Sequence, residues 1–127
     1  PQGWHIPSDA EWTALTDYVG SQSEYVCGED KANISKALSS AEGWGKTATA
    51  CTVGYDPASN NATGFSAVPA GLYSGTYQTV GSCAYFNSST QYQNYRSYLR
   101  LINGDSFIVT RKYDRNYYGY AVRCLKD

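Results

Sequence analysis

A helix start signal near the amino end constrains the fold of this chain more than any other feature. Ser8 is followed three residues later by Glu11, the spacing of a capping box, in which each side chain binds the other residue's backbone N–H. Apolar side chains then recur at helical spacing: Trp12, Leu15, Tyr18 and Val19. We predict an amphipathic helix that buries this face and ends near Gly20. Asp9 and Glu11 lie in its first turn, where the helix dipole favours carboxylates, so we interpret them as caps and solubilising groups.

A second helix is predicted over Glu29–Ser39. Ile34, Ala37 and Leu38 would form its inner side, and the Glu42–Gly45 turn would end it, with Trp44 closing the edge of the core. From Thr52 to Thr63 the composition turns to Gly, Pro, Asn, Ser and Ala, which indicates a surface loop.

The remaining chain has the pattern of strands and turns. After a short extended piece at Trp4–Pro7, the predicted strands are Gly64–Leu72, Ser82–Asn87, Ser97–Ile102, Ser106–Arg111 and Tyr118–Leu125. A turn is predicted at Asn103-Gly104. A loop with an odd residue count would place Leu99, Leu101, Phe107 and Val109 on one face. We prefer this loop because a two-residue loop would mix apolar and polar side chains.

Four cysteines indicate two disulfides and an oxidising compartment. Cys27 and Cys51 bracket the second helix, and we pair them. Cys83 and Cys124 are the pair that remains, although two buried free thiols would look the same in sequence. A zinc site is not expected, because there is no C-x-x-C spacing and His5 is the only histidine.

The segment from Tyr92 to Tyr120 is exceptionally rich in tyrosine and arginine. It contains seven of the 13 tyrosines and four of the five arginines. Both residue types are enriched where proteins bind other molecules, and tyrosine among Asn, Ser and Asp is typical of binding loops. The alternative is an ordinary half-exposed sheet, since tyrosine also favours strands. We favour binding, because YDRNYYGY is too polar for a core and too aromatic for a plain loop.

Size and charge limit the class of protein further. The chain has 127 residues, 42% hydrophobic and 17% charged, which fits one folded domain over residues 1–127. The net charge is −1, so neither nucleic acid nor a membrane surface is an expected partner. Residues 1–90 carry three Lys against eight acids, whereas residues 91–127 carry five Arg and two Lys against three acids. No apolar run could span a membrane and no signal peptide is visible, so we expect a fragment of a longer exported protein.

Five ordered motifs resemble a known family: GWHIPSDAEW (3–12), the Trp44 turn, GFSAVPAGL (64–72), AYFNSST (84–90) and GYAVRCLKD (119–127). Together they are similar to the Fibrobacter succinogenes major paralogous domain, a bacterial surface module of the C-type lectin-like fold. Tyr120 stands where Phe is usual. The resemblance implies an α+β fold with two helices packed on a small twisted antiparallel sheet, long loops and adjacent termini.

The same resemblance implies that residues 84–90 and 122–124 are scaffold and that the segment between them faces the ligand. Some relatives are variable receptors of diversity-generating retroelements, and the composition of Tyr92–Tyr118 is similar to such a product. The expected ligand-binding residues are Tyr92, Asn94, Tyr95, Arg96, Tyr98, Arg100, Arg111, Tyr113, Asp114, Arg115, Asn116, Tyr117 and Tyr118.

Catalysis and calcium-dependent sugar binding are not expected. The Glu-Pro-Asn, Gln-Pro-Asp and Trp-Asn-Asp motifs of calcium-binding lectins are absent, and Asp105 and Asp114 are isolated. No phosphate loop or serine nucleophile motif occurs, and His5, between Trp4 and Ile6, fits a packed or strand-edge role better than catalysis. We predict a monomeric, cofactor-free recognition module at the cell surface that binds a protein or glycan. The alternative is an assembly module of a pilus or cell-surface layer.

Overall fold

The computed structural model describes all residues, 1–127, as an α+β domain. Its helices are α1 (Asp9–Ser21) and α2 (Ser35–Leu38), with 3₁₀ turns at Ser23–Tyr25 and Pro57–Ser59. Its strands are β1 (Trp4–His5), β2 (Leu72–Tyr73), β3 (Tyr77–Gln78), β4 (Cys83–Gln93), β5 (Arg96–Asn103), β6 (Val109–Arg115) and β7 (Leu125–Lys126). Neither helix has the length and apolar character that crossing a bilayer would need.

The first helix begins as its sequence predicts. Ser8 is the N-cap, and its side chain and that of Glu11 form the reciprocal capping box. Trp12 and Val19 are buried in the core, but Tyr18 is 62% exposed, so its assignment to the buried face is wrong. Tyr18 lies beside the exposed Asp17 on the solvent side of α1.

The second helix is much shorter than predicted. Only Ser35–Leu38 is helical, although Ile34, Ala37 and Leu38 are buried as expected. The Asp30 carboxylate accepts the Ala32 N–H, and the Asp30 carbonyl accepts the Asn33 N–H. These local hydrogen bonds give the backbone an alternative to a helix, which is why residues 29–33 form turns.

The core lies between α1 and one face of a three-stranded antiparallel sheet in the order β4-β5-β6. The rings of Trp12, Phe65 and Phe86 pack together there, with centroids 5.5–6.0 Å apart. Trp44 is buried at the core edge, as predicted. The outer edge of β4 is covered by backbone bridges to Gly71 and Ala121, both parallel to it. The predicted strand over Gly64–Leu72 is therefore mostly loop, and the one over Tyr118–Leu125 is reduced to bridges and β7.

The β5–β6 connection contradicts the predicted odd loop. Ile102 pairs with Val109 and Leu101 with Thr110, so residues 103–108, an even number, lie between the paired positions. Ile102 and Val109 consequently share the core face, whereas Leu99 and Leu101 pack on the other face with Tyr85 and Leu72. The longer loop is held by α2, because Ser35 donates to the carbonyls of Ser106 and Phe107.

The cysteines confirm one disulfide and exclude the other. Cys27 and Cys51 are bonded, with Cα atoms 5.6 Å apart. Cys83 and Cys124 are free, so their predicted pairing is wrong. The carboxyl-terminal segment runs parallel to β4, with Ala121 beside Phe86. Cys83 precedes this point by three residues and Cys124 follows it by three, which separates them by roughly 20 Å at strand spacing, far beyond disulfide reach.

The two ends of the chain meet, as the resemblance implied. β1 pairs antiparallel with β7, placing Trp4 opposite Lys126 and His5 opposite Leu125. The His5 ring also bonds two carboxylates, with Nε2 2.9 Å from Glu11 and Nδ1 2.6 Å from Asp127. His5 thus ties β1 to the start of α1 and to the last residue, which fits the predicted strand-edge role.

Candidate functional site

The tyrosine- and arginine-rich segment folds back so that its two halves meet at one end of the main sheet. We call this region, residues 92–98 and 111–118, the sheet tip. The β4–β5 turn has Tyr95 in the left-handed region (φ 60°), and the Tyr95 carbonyl accepts the Asn116 N–H at 2.9 Å. Arg96 lies opposite Arg115 in the strand register. Residues distant in sequence therefore form one continuous surface.

Most of the predicted binding residues are accessible at the tip. The exposed ones are Asn94, Tyr95, Arg96, Arg111, Tyr113, Arg115, Asn116 and Tyr117, and the half-buried ones are Tyr92, Tyr98, Asp114 and Tyr118. Tyr95 and Tyr117 are 74% and 65% exposed. These two rings have no place in the core and are free to contact another molecule.

Arg100 is the predicted binding residue that the structure removes from the surface. It is 2% exposed and lies on the core face of β5, beneath α1. Its guanidinium donates to the Asp9 carboxylate at 2.7 Å, the Asp9 carbonyl and the Thr13 hydroxyl. Its assignment as a ligand contact is therefore wrong. Strand alternation places Arg100 on the same face as Ile102, and the even number of residues in the β5–β6 loop places Val109 and Arg111 on this face as well.

Three tyrosines form a packed stack on the α1 side of the tip. The rings of Tyr92 and Tyr113 are parallel, with centroids 3.8 Å apart, and Tyr98 meets both edge-on at 5.2 and 6.4 Å. The neighbouring Tyr113 hydroxyl raises the pKa of Tyr92. Offset-stacked and edge-to-face contacts between aromatic rings are favourable, so the three rings stabilise one another in this arrangement.

Asp9 links this stack to the first helix. Its carboxylate accepts hydrogen bonds from Arg111 Nε and Nη2 at 2.8–3.1 Å, besides the one from Arg100. The Arg111 guanidinium then lies 4.0 Å from the centroid of the Tyr98 ring, in cation–π contact. The bond from Arg111, with Arg100 adding to it, holds the pKa of Asp9 below its ordinary value. Asp9 is thus more than a helix cap: it orients an arginine of the tip.

A second group of aromatic side chains surrounds Arg115 at the end of β6. Arg115 donates to the Tyr118 hydroxyl at 2.8 Å, and its guanidinium lies within 6 Å of the Tyr117 and Tyr118 rings. The Tyr118 ring contacts Tyr120, which packs on Tyr85. Since Tyr85 lies on the face opposite the core, this group turns away from the tyrosine stack. The tip therefore presents two aromatic groups, one on each side of the sheet.

The tip carries a net positive charge, and some of its positive side chains have no acidic partner. Arg96 and Arg115 form no ion pair, whereas Asp114 pairs with Lys112 at 3.6 Å and Arg111 with Asp9. A cavity of about 510 Å³ lies elsewhere, between α1, the turn at Lys31 and the β5–β6 loop at Ile108. Nowhere do three His, Cys, Asp or Glu side chains come close enough together to hold a metal ion. The tip can bind by stacking and by charge-assisted hydrogen bonds from Arg96 and Arg115.

Sequence reasoning missed residues that only the fold brings into play. The position of Asp9 in the first turn of α1 indicates a capping role, and no spacing rule connects it to Arg100 or Arg111. Tyr73 and Tyr77 lie in the β2–β3 hairpin and are exposed, with ring centroids 5.2 Å apart. The signal available for them was the turn sequence Ser74-Gly75-Thr76 between two tyrosines, which is a hairpin pattern.

Comparison with known proteins gives one match. The family model described as the Fibrobacter succinogenes major domain matches residues 1–126. No curated protein matches the chain, and no solved structure does.

Proposed function

The chain belongs to the Fibrobacter succinogenes major domain family, and from this membership we propose that it is a non-catalytic recognition module of a bacterial or phage surface protein. The module binds a protein or glycan ligand through the sheet tip. The disulfide between Cys27 and Cys51 supports a location outside the cytoplasm, where such bonds persist.

The observation that carries the proposal is the combination of exposed rings and unpaired arginines at the tip. Tyr95, Tyr113 and Tyr117 are exposed, and Arg96 and Arg115 form no ion pair. Exposed aromatic residues beside arginine supply most of the binding energy in many interfaces. The cationic half of the chain would also attract acidic groups on a partner, in a way that salt weakens.

The tip is also well ordered for binding. The turn at Tyr95 is hydrogen-bonded to Asn116, the tyrosine stack is packed, and Arg111 is fixed by Asp9. A surface held in one conformation loses little side-chain entropy when a ligand binds. This order supports recognition by a preformed surface rather than by a loop that folds on binding.

The test replaces Tyr113, Arg115 and Tyr117 together by Ala and probes an array of bacterial surface glycans and extracellular proteins. We expect the wild-type domain to bind selected spots and the triple variant to lose them, with a nearly unchanged melting temperature because none of the three side chains is buried. The matched control replaces Tyr18, Lys46 and Tyr55, two exposed tyrosines and a cation outside the tip. Full binding by the tip variant, or equal loss in the control, would contradict the proposal.

The competing assembly role makes a different prediction in solution. A pilus or surface-layer module would associate through this surface, so its apparent mass would rise with concentration. We expect a monomer throughout a sedimentation series, with no difference between wild type and the triple tip variant. Association that the triple variant abolishes would favour the assembly role.

Two finer features belong to the same proposal. We assign the C-type lectin-like fold, supported by the paired β1 and β7, the two helices and the long loops. We also propose that the tip is diversified by a retroelement, supported by the tyrosine, asparagine and arginine residues that it exposes. A neighbouring reverse-transcriptase gene and a template repeat matching the codons of 92–118 would support diversification, and a locus without both would exclude it.

A further inference from the structure

Two pairs of arginines lie directly opposite each other across β5 and β6. The first pair is Arg100 with Arg111, and the second is Arg96 with Arg115. The pairs are four residues apart on each strand, so alternation directs all four side chains to one face of the sheet, the face on which α1 packs. Like charges directly opposite each other destabilise a sheet, so each pair favours an anion beside it.

The domain neutralises the first pair with its own carboxylate. Asp9 accepts hydrogen bonds from Arg100 at 2.7 Å and from Arg111 at 2.8–3.1 Å. One carboxylate thus binds both guanidinium groups of a cross-strand pair. The domain itself shows which chemical group this arrangement of arginines accepts.

The second pair has no such partner. Arg96 and Arg115 are exposed and form no ion pair. The Arg96 guanidinium lies 6.0 Å from the centroid of the Tyr113 ring, whereas Arg115 donates to the neutral Tyr118 hydroxyl at 2.8 Å. A hydrogen bond to a carboxylate is roughly twice as strong as one to a neutral group, so a carboxylate from a ligand would draw Arg115 away from Tyr118. Such side-chain rearrangements are common at interfaces.

The hydrogen bonds of the sheet make the two pairs equivalent. The Asn116 N–H bonds the Tyr95 carbonyl, so Tyr95 and Asn116 are a hydrogen-bonded pair next to Arg96 and Arg115. Bonded and non-bonded pairs alternate along an antiparallel ladder, so Arg96 and Arg115 are a non-bonded pair, the kind with the closer side chains. The pair held by Asp9, four residues away, is of the same kind.

β6 also offers its backbone to another chain. It is the last strand in the order β4-β5-β6, so one of its edges has no neighbouring strand. The same alternation points the N–H and C=O groups of Arg111 and Tyr113 toward this edge, and they form no hydrogen bond within the domain. Unpaired groups on an edge strand are the complement of an extended peptide.

The polar groups of the tip favour an acidic polypeptide over a sugar. The only carboxylate within the tip, Asp114, already pairs with Lys112 at 3.6 Å and accepts the Arg115 N–H at 2.8 Å. A sugar hydroxyl brings a donor with each acceptor, and those donors would find few acceptors here. An acidic peptide brings carboxylates that accept from the arginines and a backbone that fits the β6 edge.

We propose that the tip binds an acidic, extended segment of a partner protein, with one of its carboxylates bound between Arg96 and Arg115. That carboxylate takes the role that Asp9 has in the first pair. The inference rests on the recognition role proposed for the tip and specifies its ligand.

The test titrates the intact domain, at low salt, with an acetylated and amidated decapeptide of alternating Glu and Thr, and follows the heat of binding. We expect saturable binding that replacing Arg96 and Arg115 together by Gln weakens at least roughly tenfold, because two charge-assisted contacts are lost. The matched control replaces Lys31 and Lys46 by Gln. It removes the same charge from exposed positions outside the tip and should bind within about twofold of wild type.

Further arms separate this inference from the proposed function. A decapeptide of alternating Gln and Thr should not bind, and a galacturonate oligomer should bind more weakly than the glutamate peptide. No binding of the glutamate peptide by the wild type at millimolar concentration, equal losses in the arginine and lysine variants, or tighter binding of galacturonate would overturn the inference. Array ligands that the triple Ala variant loses would still support recognition at the tip in each of these cases.

Discussion

Asp9 is the residue on which the geometry of the tip depends most. Its carboxylate is nearly buried and joins the buried Arg100 to the exposed Arg111. A buried arginine without its carboxylate would be an uncompensated charge in a medium that solvates it poorly. One side chain at the start of α1 therefore both stabilises the core and orients a tip arginine above Tyr98.

Replacing Asp9 by Ala should destabilise the domain by about 3–5 kcal/mol, the usual cost of removing one partner of a buried ion pair. Urea unfolding measures the loss. The control is Asp17→Ala on the exposed face of the same helix, where no ion pair is present and the change should stay within about 0.5 kcal/mol. Similar values for the two variants would mean that Arg100 has another partner.

His5 makes the stability of the domain depend on pH. Hydrogen bonds to Asp127 and Glu11 raise the pKa of His5. The bonds from the Ser8 backbone and His5 lower the pKa of Glu11 to about 2. A raised histidine pKa contributes stability that is complete below about pH 6.5 and is lost as the pH rises through the folded-state value. A lowered glutamate pKa contributes stability that is present above about pH 4.3 and is lost as the pH falls toward the folded-state value.

The melting temperature of the wild type should therefore fall as the pH is raised from about 5 to about 9. His5→Gln, which cannot carry a charge, should have a lower melting temperature at the acid end and a flatter profile. Differential scanning calorimetry across this range measures both. Parallel profiles for the two proteins would show that the His5 contacts contribute nothing to folding.

At the scale of elements, the β5–β6 loop decides which side chains reach the surface. Its even parity places Arg100 and Ile102 with Val109 and Arg111 on the face beneath α1. The odd loop predicted from the apolar pattern would have paired the strands the other way. The pattern misled because both faces of β5 are buried, one against α1 and the other against Tyr85 and Leu72. Alternation sets the register clearly only where one face meets water.

The parallel course of the carboxyl-terminal segment beside β4 leaves two free thiols of different accessibility. A thiol-reactive reagent should label the native protein at Cys124, which is exposed, and should reach buried Cys83 only after unfolding. Absorbance of the released chromophore counts the thiols. Cys124→Ser should abolish the native reaction. Unfolded, unreduced protein without any reactive thiol would restore the Cys83–Cys124 disulfide and contradict the register.

At the scale of the whole molecule, the two chain ends are joined to each other and, through the first turn of α1, to the tip. β1 and β7 pair, the Asp127 N–H donates to the Gly3 carbonyl, and the Cys27–Cys51 bond braces the loop region. The sequence is acidic before residue 91 and basic after it, and the basic part forms the tip. Asp9 in the first turn of α1 is the link between this part of the domain and the tip, because its carboxylate bonds both Arg100 and Arg111.

Removing Leu125, Lys126 and Asp127 should lower the stability of the domain by about 1–3 kcal/mol, since the backbone hydrogen bonds of β7 to β1 and of Asp127 to Gly3 are lost. The midpoint of urea unfolding measures this. Asp127→Asn keeps β7 and removes only the charge, so it should cost less than the truncation. An unchanged midpoint in the truncated protein would show that the pairing of the ends does not support the fold.

The sequence by itself determined the features that depend on local interactions or composition. The capping box at Ser8 and Glu11 started α1, the bracketing cysteines at 27 and 51 paired, and the five motifs identified the family. The accumulation of tyrosine and arginine also located the segment that forms the tip, because a segment so rich in both residue types is too polar for a core and too aromatic for a plain loop.

Only the tertiary structure decided how distant segments meet. The burial of Arg100, its bond to Asp9, the division of the tip into two faces and the freedom of Cys83 and Cys124 all follow from strand register and chain direction. A shift of one residue in the β5–β6 pairing would exchange the two faces, and composition does not record that choice. Register is set by the sum of packing on both faces of the sheet, which no single stretch of sequence contains.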